Sequence, residues 1–562
     1  MKYYKFLCFS LYLLFLLSCA KQSTPTGGPK DSIPPVMVRS YPKQKQLNFK
    51  EKKITLEFNE AIQILNPREQ LIITPTIGKD YKATANKKEV TIQFQESFKD
   101  STTYTINFRE AISDITEKNA AKNLQLAFST GPYIDSLIIE GNVYDLLKGK
   151  EVKEATIALY QSDTFNIFKH KPNYITKSND RGGFKIENLK PGIYHIYAFE
   201  DKNKNIVADS KNENYGFVAK EINLTQNVKN ISIPLIHLDA RSLKLTSARP
   251  YNNYFNIRFG KNLLKYNITS DSSEITSCYG DDHSNIKVFN QLPKGIDSLK
   301  IKLYAEDSIG NTLDSSLYVK FNTKKDIQIE KFNMNLLENS VSANKGELRI
   351  TLSFNKPIKE INFDSLLYIK DSIQIFKFTK EELDWKQEIN MLSIRKTIDK
   401  RLYIKKEENN LSKEIKKPAP DSKPKKIIEN QLLIGKGVFI SIDNDSSQQK
   451  KEQIKVLREE DTGMLLTSIK TEQKNYITQV LTKDFKVLDY TVSKPDSKFE
   501  NLIPNSYQLR LVIDKNGNSI WDAGNFFKKE EPEPAIYYTN EKKDQIINLK
   551  ANWELGPLLI KY

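Results

Sequence analysis

Short runs in which apolar and polar residues alternate, each closed by Gly, Asn, Asp or Pro, recur from about Ile33 to the C-terminus. Long amphipathic helical patterns are nearly absent. A period of two puts every second side chain on one face of an extended chain, so each run reads as a half-buried strand. In Ile54-Thr55-Leu56-Glu57-Phe58 the inward set is Ile54, Leu56 and Phe58. Tyr104, Ile106 and Phe108 repeat the pattern, as do Leu124, Leu126 and Phe128. Many such strands with turn residues between them predict an all-β chain made of several antiparallel sandwiches.

The 562 residues suffice for four to six domains at about 100–150 residues each. With 39% hydrophobic and 10% aromatic residues, each can close a core, which excludes global disorder. The formal charge is +16. The lysines are interleaved with Asp and Glu along strand-like segments, with no Arg-rich cluster or aromatic–basic motif, so a solvated surface explains the charge better than nucleic acid does. Of three cysteines, Cys8 and Cys19 lie at the N-terminus and Cys278 stands alone, so no disulfide framework is expected.

The N-terminus carries an address. Lys2 and Lys5 precede the apolar run Phe6 to Leu17, too short to span a bilayer, and the run closes in Leu16-Leu17-Ser18-Cys19. That ending resembles the lipobox of bacterial lipoproteins, which implies cleavage before Cys19, lipidation (palmitate among the acyl chains) and a signal segment of 1–18. The other reading is an ordinary secretory signal or an uncleaved anchor. At ~0.8 kcal/mol per buried methylene, two or three acyl chains on Cys19 would hold essentially permanently. Residues 19–32, polar and rich in Gly and Pro, read as a flexible tether. Ala20 to Lys30 contain no Asp or Glu. Surface-exported Bacteroidetes lipoproteins typically carry acidic residues there, so the expected location is the outer membrane, facing the periplasm.

Residues 33–131 resemble the bacterial Ig-like domain first described in surface-layer proteins, through Ile-Thr-Leu-Glu-Phe-Asn-Glu-Ala-Ile (54–62), Tyr104 to Phe108, and the closing Phe128-Ser129-Thr130-Gly131. Pro-Thr-Gly-Gly-Pro-Lys-Asp (25–31) with Pro34-Pro35 further resembles a class of Bacteroidetes lipoproteins. Ile350 to Ile358 echo 54–62, which predicts a second Ig-like domain over 327–451, interrupted by a Lys-rich insertion at 405–430. Residues 237–324 read as another Ig-like sandwich. A second repeat runs without a gap: Glu187 to Tyr194 and Asp201 to Asn205 match Glu500 to Tyr507 and Asp514 to Asn518. With Gly141-Asn142-Val143 and Gly182-Gly183-Phe184, this pattern resembles the prealbumin-like sandwich of carboxypeptidase regulatory domains and collagen-adhesin B-type repeats. Two such domains are expected, at 134–236 and 452–562.

Candidate chemistry is sparse. Asp201, Asn203, Asn205 and Asp209 occupy positions 1, 3, 5 and 9 of a calcium-type loop, and Asp514, Asn516, Asn518 and Asp522 repeat the spacing. Alternating oxygen donors are what calcium needs, but the bidentate Glu at position 12 is replaced by Asn212 and Asn525. Glu213 comes one residue late, and nothing equivalent is evident after Asp522. A polar turn, in which Asn and Asp cap their own backbone, fits the same residues. The four histidines, His170, His195, His237 and His283, lack zinc-helix spacing, and no nucleophile elbow or phosphate-binding loop is present. Cys278 with Asp281, Asp282 and His283 groups a thiol with an imidazole on one loop, where proximity without function is the commoner case. His195 alternates on a strand and is expected to face solvent or a neighbouring sheet. Trp521, Tyr537, Tyr538 and Trp553 could form a carbohydrate platform; covering the end of a sandwich is the favoured reading.

Together these features predict a non-catalytic, membrane-anchored scaffold with a protein partner in the envelope, its sandwiches joined end to end as a stalk. The rival is a glycan-binding accessory of an envelope enzyme system. Fold alone does not separate the two.

Overall fold

The computed structural model describes residues 31–562 apart from 78–79, 163, 272–273, 293–297, 322–328 and 404–428. The signal segment, Cys19, most of the tether and nearly all of insertion 405–430 lie outside the described residues. The chain is all-β, a series of Ig-like sandwiches. Among the described residues the one α-helix is the single turn Pro67–Gln70, and none is long and apolar enough to cross a membrane.

Five sheet pairs each close over their own core. In the first unit a sheet ordered Met37–Tyr41, Lys53–Phe58, Glu89–Phe94, Tyr81–Asn86 faces a sheet ordered Ile72–Thr74, Thr103–Asn107, Gln125–Ser129. Ile54, Leu56 and Phe58 meet Tyr104, Ile106, Phe108, Leu126 and Phe128 in one core, so the alternation in the sequence falls on the inward faces. Phe98 sits among Phe49, Phe94, Tyr104 and Phe128 with ring centroids 4.8–6.0 Å apart, the spacing of tilted and edge-on aromatic contacts.

Three later units are closed by a parallel pairing between their first and last strands. Leu137–Asp145 pairs with Val228–Leu235, Met334–Ser342 with Lys455–Leu457, and Gly463–Lys470 with Glu554–Lys561. Parallel neighbours cannot be joined by a hairpin, so the closing strand returns only after the rest of the unit has been laid down. The fourth unit therefore extends to Leu457 rather than ending at residue 451, and Ile454 belongs to its core. Asn430 also belongs there: its side chain accepts from the Tyr368 hydroxyl at 2.9 Å.

Two buried ammonium groups are matched by carboxylates. Lys356 is 3% exposed at its side chain and lies 2.9 Å from Asp443 and 3.0 Å from Asp445 in the fourth unit. Lys261 pairs with the buried Asp307 in the third unit and donates to the carbonyls of Asp239 at 2.7 Å and Arg241 at 2.6 Å. A lysine so placed ties the start of the third unit to its last hairpin, and removing either partner would leave a buried charge alone.

Candidate functional site

The two gapless repeats fold alike down to single bonds. Gly183–Leu189 and Gly192–Phe199 are consecutive strands whose tight turn carries the chain from one sheet of the unit to the other, and Asp496–Leu502 and Asn505–Ile513 repeat that crossing. Asn188 and Asn501 both adopt the left-handed conformation with φ 58°, which asparagine tolerates better than most residues. One turn later the Tyr194 hydroxyl donates to the Lys190 carbonyl at 2.9 Å, and the Tyr507 hydroxyl donates to the Ile503 carbonyl.

Each crossing delivers the chain into an Asp/Asn loop whose side chains cap their own backbone. Asp201 accepts from the N–H of Asn205 at 3.0 Å and of Ile206 at 3.1 Å. Asp514 accepts from Gly517, Asn518 and Ser519 at 2.7, 3.1 and 2.8 Å. Asn203 and Asn205 repeat the device two residues on, matched by Asn516 and Asn518. In the first loop Asp209 accepts from Lys211 N–H and the Asn212 side-chain amide. In the second, positions 3, 5 and 9 converge: the amides of Asn516 and Asn518 donate to Asp522 at 2.6 and 2.9 Å.

The structure also supplies the residue that the sequence comparison lacked. Glu213 accepts from the N–H of Lys202 at 2.9 Å and of Asp209 at 2.8 Å, bracing the two ends of the first loop. Glu533 does the same in the second loop, accepting from Lys515 at 2.6 Å and Asp522 at 3.0 Å. Burial, with Asp522 and Asp514 nearby, raises the Glu533 carboxyl above its ordinary range despite those two donors. The equivalence is hidden because Glu213 follows Asp209 by four positions and Glu533 follows Asp522 by eleven. The extra residues form a small hairpin pinned by reciprocal bonds between Asn525 and Glu530 at 2.8 and 2.9 Å. Gly524 opens it at φ 70°, where a Cβ would lie 2.3 Å from the Glu530 carbonyl oxygen.

That inserted hairpin overturns the end-to-end stalk. Phe526 at its tip enters a cage of second-unit rings, with centroids 4.8 Å from Phe168, 5.6 Å from Phe217, 5.9 Å from Tyr197 and 6.0 Å from Tyr215. Ala240 and Ile309 of the third unit share this cluster, and the Asn525 amide donates to the Ile309 carbonyl. On the other side of the contact, Leu146 packs against Ile477, Val512 and Ala535, while Tyr537, Arg510 and Gln545 donate to the carbonyls of Leu147 and Gly149. The Ala219 N–H donates to Glu531 at 2.8 Å. The fifth unit thus docks on the second and third, and the chain from 137 onward closes on itself.

The C-terminal aromatics are spent on this closure more than on a platform. Trp521 donates its indole N–H to the Glu533 carbonyl at 3.0 Å and packs on the Leu146 cluster, and Tyr537 is buried. Trp553 stays partly exposed under the Lys550 ammonium. Cys278 is fully buried, and burial pushes its thiol up to about 11, so the thiolate needed of a nucleophile is suppressed at neutral pH. His283 stacks on Tyr279 at 4.2 Å, and His195 is buried opposite Tyr160 rather than facing solvent. Among the described residues no three His, Cys, Asp or Glu side chains are grouped to hold a metal ion.

With this geometry in place, comparison with known proteins adds one domain. Residues 31–130 match the bacterial Ig-like domain family. No curated protein sequence matches the chain. Solved structures similar in outline include BcpA, the major pilin subunit of Bacillus cereus, at 10% identity, covering 76% of this chain and 98% of that one with a TM-score of 0.12. The group B streptococcus pilus 2b backbone protein is 12% identical over 36% of this chain and 98% of its own, with a TM-score of 0.11. The human Desmocollin-1 ectodomain is 9% identical over 76% and 80%, with a TM-score of 0.12. Scores this low carry no argument about arrangement.

Proposed function

We propose that the chain is a non-catalytic scaffold of a Bacteroidetes-type cell envelope, held at the outer membrane by a lipidated Cys19 and facing the periplasm. The observation that carries the scaffold reading is the closure through Phe526, which turns jointed sandwiches into a body of fixed shape. The partner is an envelope protein, met in part by strand addition. Val487–Val492 is an edge strand with Leu488 47% and Tyr490 58% exposed, a place where an added strand gains both hydrogen bonds and apolar contact.

The test is fractionation of Cys19→Ala cells with crosslinking pull-down from wild-type membranes. Release from membranes, or retention as an uncleaved precursor, is the expected result; processing and fractionation like wild type would remove the anchor. Protease added to intact cells should spare the chain, and rapid digestion would place it on the surface instead.

One observation favours the glycan-binding alternative. Phe527, 55% exposed, borders a groove of about 640 Å³ at the junction of the second, third and fifth units, lined by Lys169, Arg241 and Lys244 and by no carboxylate. An acidic polysaccharide bound by wild type and released equally from Phe527→Ala and Lys244→Ala would favour that reading.

A further inference from the structure

A second cavity, between the first and second units, has a different chemistry. Its main chamber, about 290 Å³, is bounded on one side by Arg68, Gln70 and Arg109 and on the other by Lys177, Asp201 and Ile206. A smaller chamber of about 70 Å³ shares Arg68 and is walled by Leu71, Ile73, Tyr81, Ile175 and Ile206. The walls are fixed to one another at the rim. Thr76 donates its N–H to the Asn173 carbonyl at 2.7 Å and its hydroxyl to the Pro172 carbonyl at 2.6 Å. Lys204 pairs with Glu69 at 2.6 Å, and Arg109 pairs with Glu154.

Those pairs engage two of the three acidic groups of the cleft, and backbone donors hold the third. Glu69 and Glu154 are engaged by Lys204 and Arg109, and Asp201 is capped by two N–H groups of its own loop. Among the described residues, Arg68 and Lys177 form no ion pair. Lys177 donates one N–H to the Thr156 hydroxyl at 2.5 Å, and burial lowers its ammonium pKa by more than the nearby Asp201 and Glu154 carboxylates raise it, the mark of a cation short of solvation. Gln70, on the same wall, keeps its Oε1 buried without a donor. Buried polar groups left unmatched in a cleft ask for a partner from outside. Two cations without an ion pair, one acceptor without a donor and an adjoining apolar slot form a definite complement.

We propose that this cleft binds the carboxylate end of a peptide whose last residue is apolar. The carboxylate meets Arg68 and Lys177, the terminal amide N–H meets Gln70 after a small side-chain rotation, and the apolar side chain enters the slot between Ile73 and Ile175. Carboxylate capture by donors beside a side-chain pocket is a recurring mode of peptide recognition. Inorganic phosphate would leave both Gln70 and the slot unused, and a neutral sugar would leave both cations unmatched. The cavity is at the small end for ligand sites, which confines the bound portion to about one or two residues. The inference goes beyond the scaffold reading and does not depend on the anchor or on the Phe527 groove.

The test is fluorescence anisotropy on the full chain in detergent, using a peptide labelled at its N-terminus and ending Ala-Ala-Leu. The free carboxylate should bind, its C-terminal amide at least tenfold more weakly, and a version ending in Asp more weakly too. Lys177→Met and the exposed Arg68→Ala should each reduce affinity about tenfold without lowering the melting temperature, while Lys244→Ala, outside the cleft, should not. Equal binding of acid and amide, unchanged affinity in both cleft variants, or no signal at millimolar peptide would each overturn the proposal. Displacement by N-acetyl-leucine as effective as by the unlabelled peptide would overturn the peptide as ligand, leaving a free acylated amino acid as occupant. Loss of the Cys19 anchor would leave all these outcomes unchanged, so the two readings fail separately.

Discussion

Phe526→Ala isolates the contact that closes the chain. Truncating a fully buried phenylalanine costs about 3–5 kcal/mol. Phe526 is half-buried, with four second-unit rings within 6.0 Å, so about half that loss, ~2 kcal/mol, falls on docking. At 1.36 kcal/mol per decade this is about a 30-fold shift toward the undocked state. The Ala219 amide reports on it directly, because its acceptor is Glu531 in the other unit. Native-state hydrogen exchange at Ala219 should therefore quicken by about 30-fold, while Ile92, in the first-unit core, stays unchanged. The contacts of Tyr537, Arg510 and Gln545 with Leu147 and Gly149 remain, so the single variant should keep a wild-type scattering profile. Adding Gly149→Val attacks those contacts too, since a Cβ there lies 2.5 Å from the Tyr537 ring on a backbone with φ 59°. The double variant should show a larger radius of gyration. Exchange at Ala219 unchanged in Phe526→Ala, with the double variant as compact as wild type, would refute the latch.

Burial opposes ionisation of Asp445, but the Ser441 hydroxyl and the Lys356 ammonium outweigh it and hold the carboxyl below its ordinary range. Its contribution to stability is thus complete above the unfolded value near 3.9 and lost as pH falls through the lower folded value; Lys356→Met should shrink that acid limb of a denaturation series, the Ser441 hydroxyl remaining, and cost on the order of 3 kcal/mol at neutral pH. Cys278 should resist iodoacetamide at pH 8 in the native chain and label only after unfolding; rapid native labelling would contradict its burial. Calcium titrated calorimetrically into the full chain should bind no tighter than about 10⁻⁴ M, and any heat should fall in Asp201→Ala and Asp514→Ala; a tighter site would mean that the carboxylates release their backbone donors for the ion.

What the sequence makes legible is what a single strand or turn decides. Alternation placed Ile54, Leu56 and Phe58 on the inner face, because period two and half burial are local facts. The gapless repeat likewise carried over the positive-φ asparagines and the tyrosine-to-carbonyl bonds, since both are contained within one short turn between consecutive strands. Glu533 was missed for the opposite reason. Strict spacing from Glu213 lands on Phe526, because a hairpin inserted before Glu533 breaks the register that made the repeat visible. The run Glu531-Pro532-Glu533-Pro534, rigid and acidic just after an extra turn, was the available signal. Closure was invisible on the same account: a phenylalanine at an inserted tip shows no periodicity, and its cage is drawn from strands some three hundred positions away. The insertion that hides the loop's bracing glutamate also carries the side chain that docks the fifth unit. Position 12 of the loop shows how the two roles meet: Asn525, standing where a calcium loop would place its bidentate glutamate, holds the hairpin with its backbone and reaches the third unit's Ile309 with its amide. In the second copy, the residue that would have completed a metal site instead helps to fasten the units together.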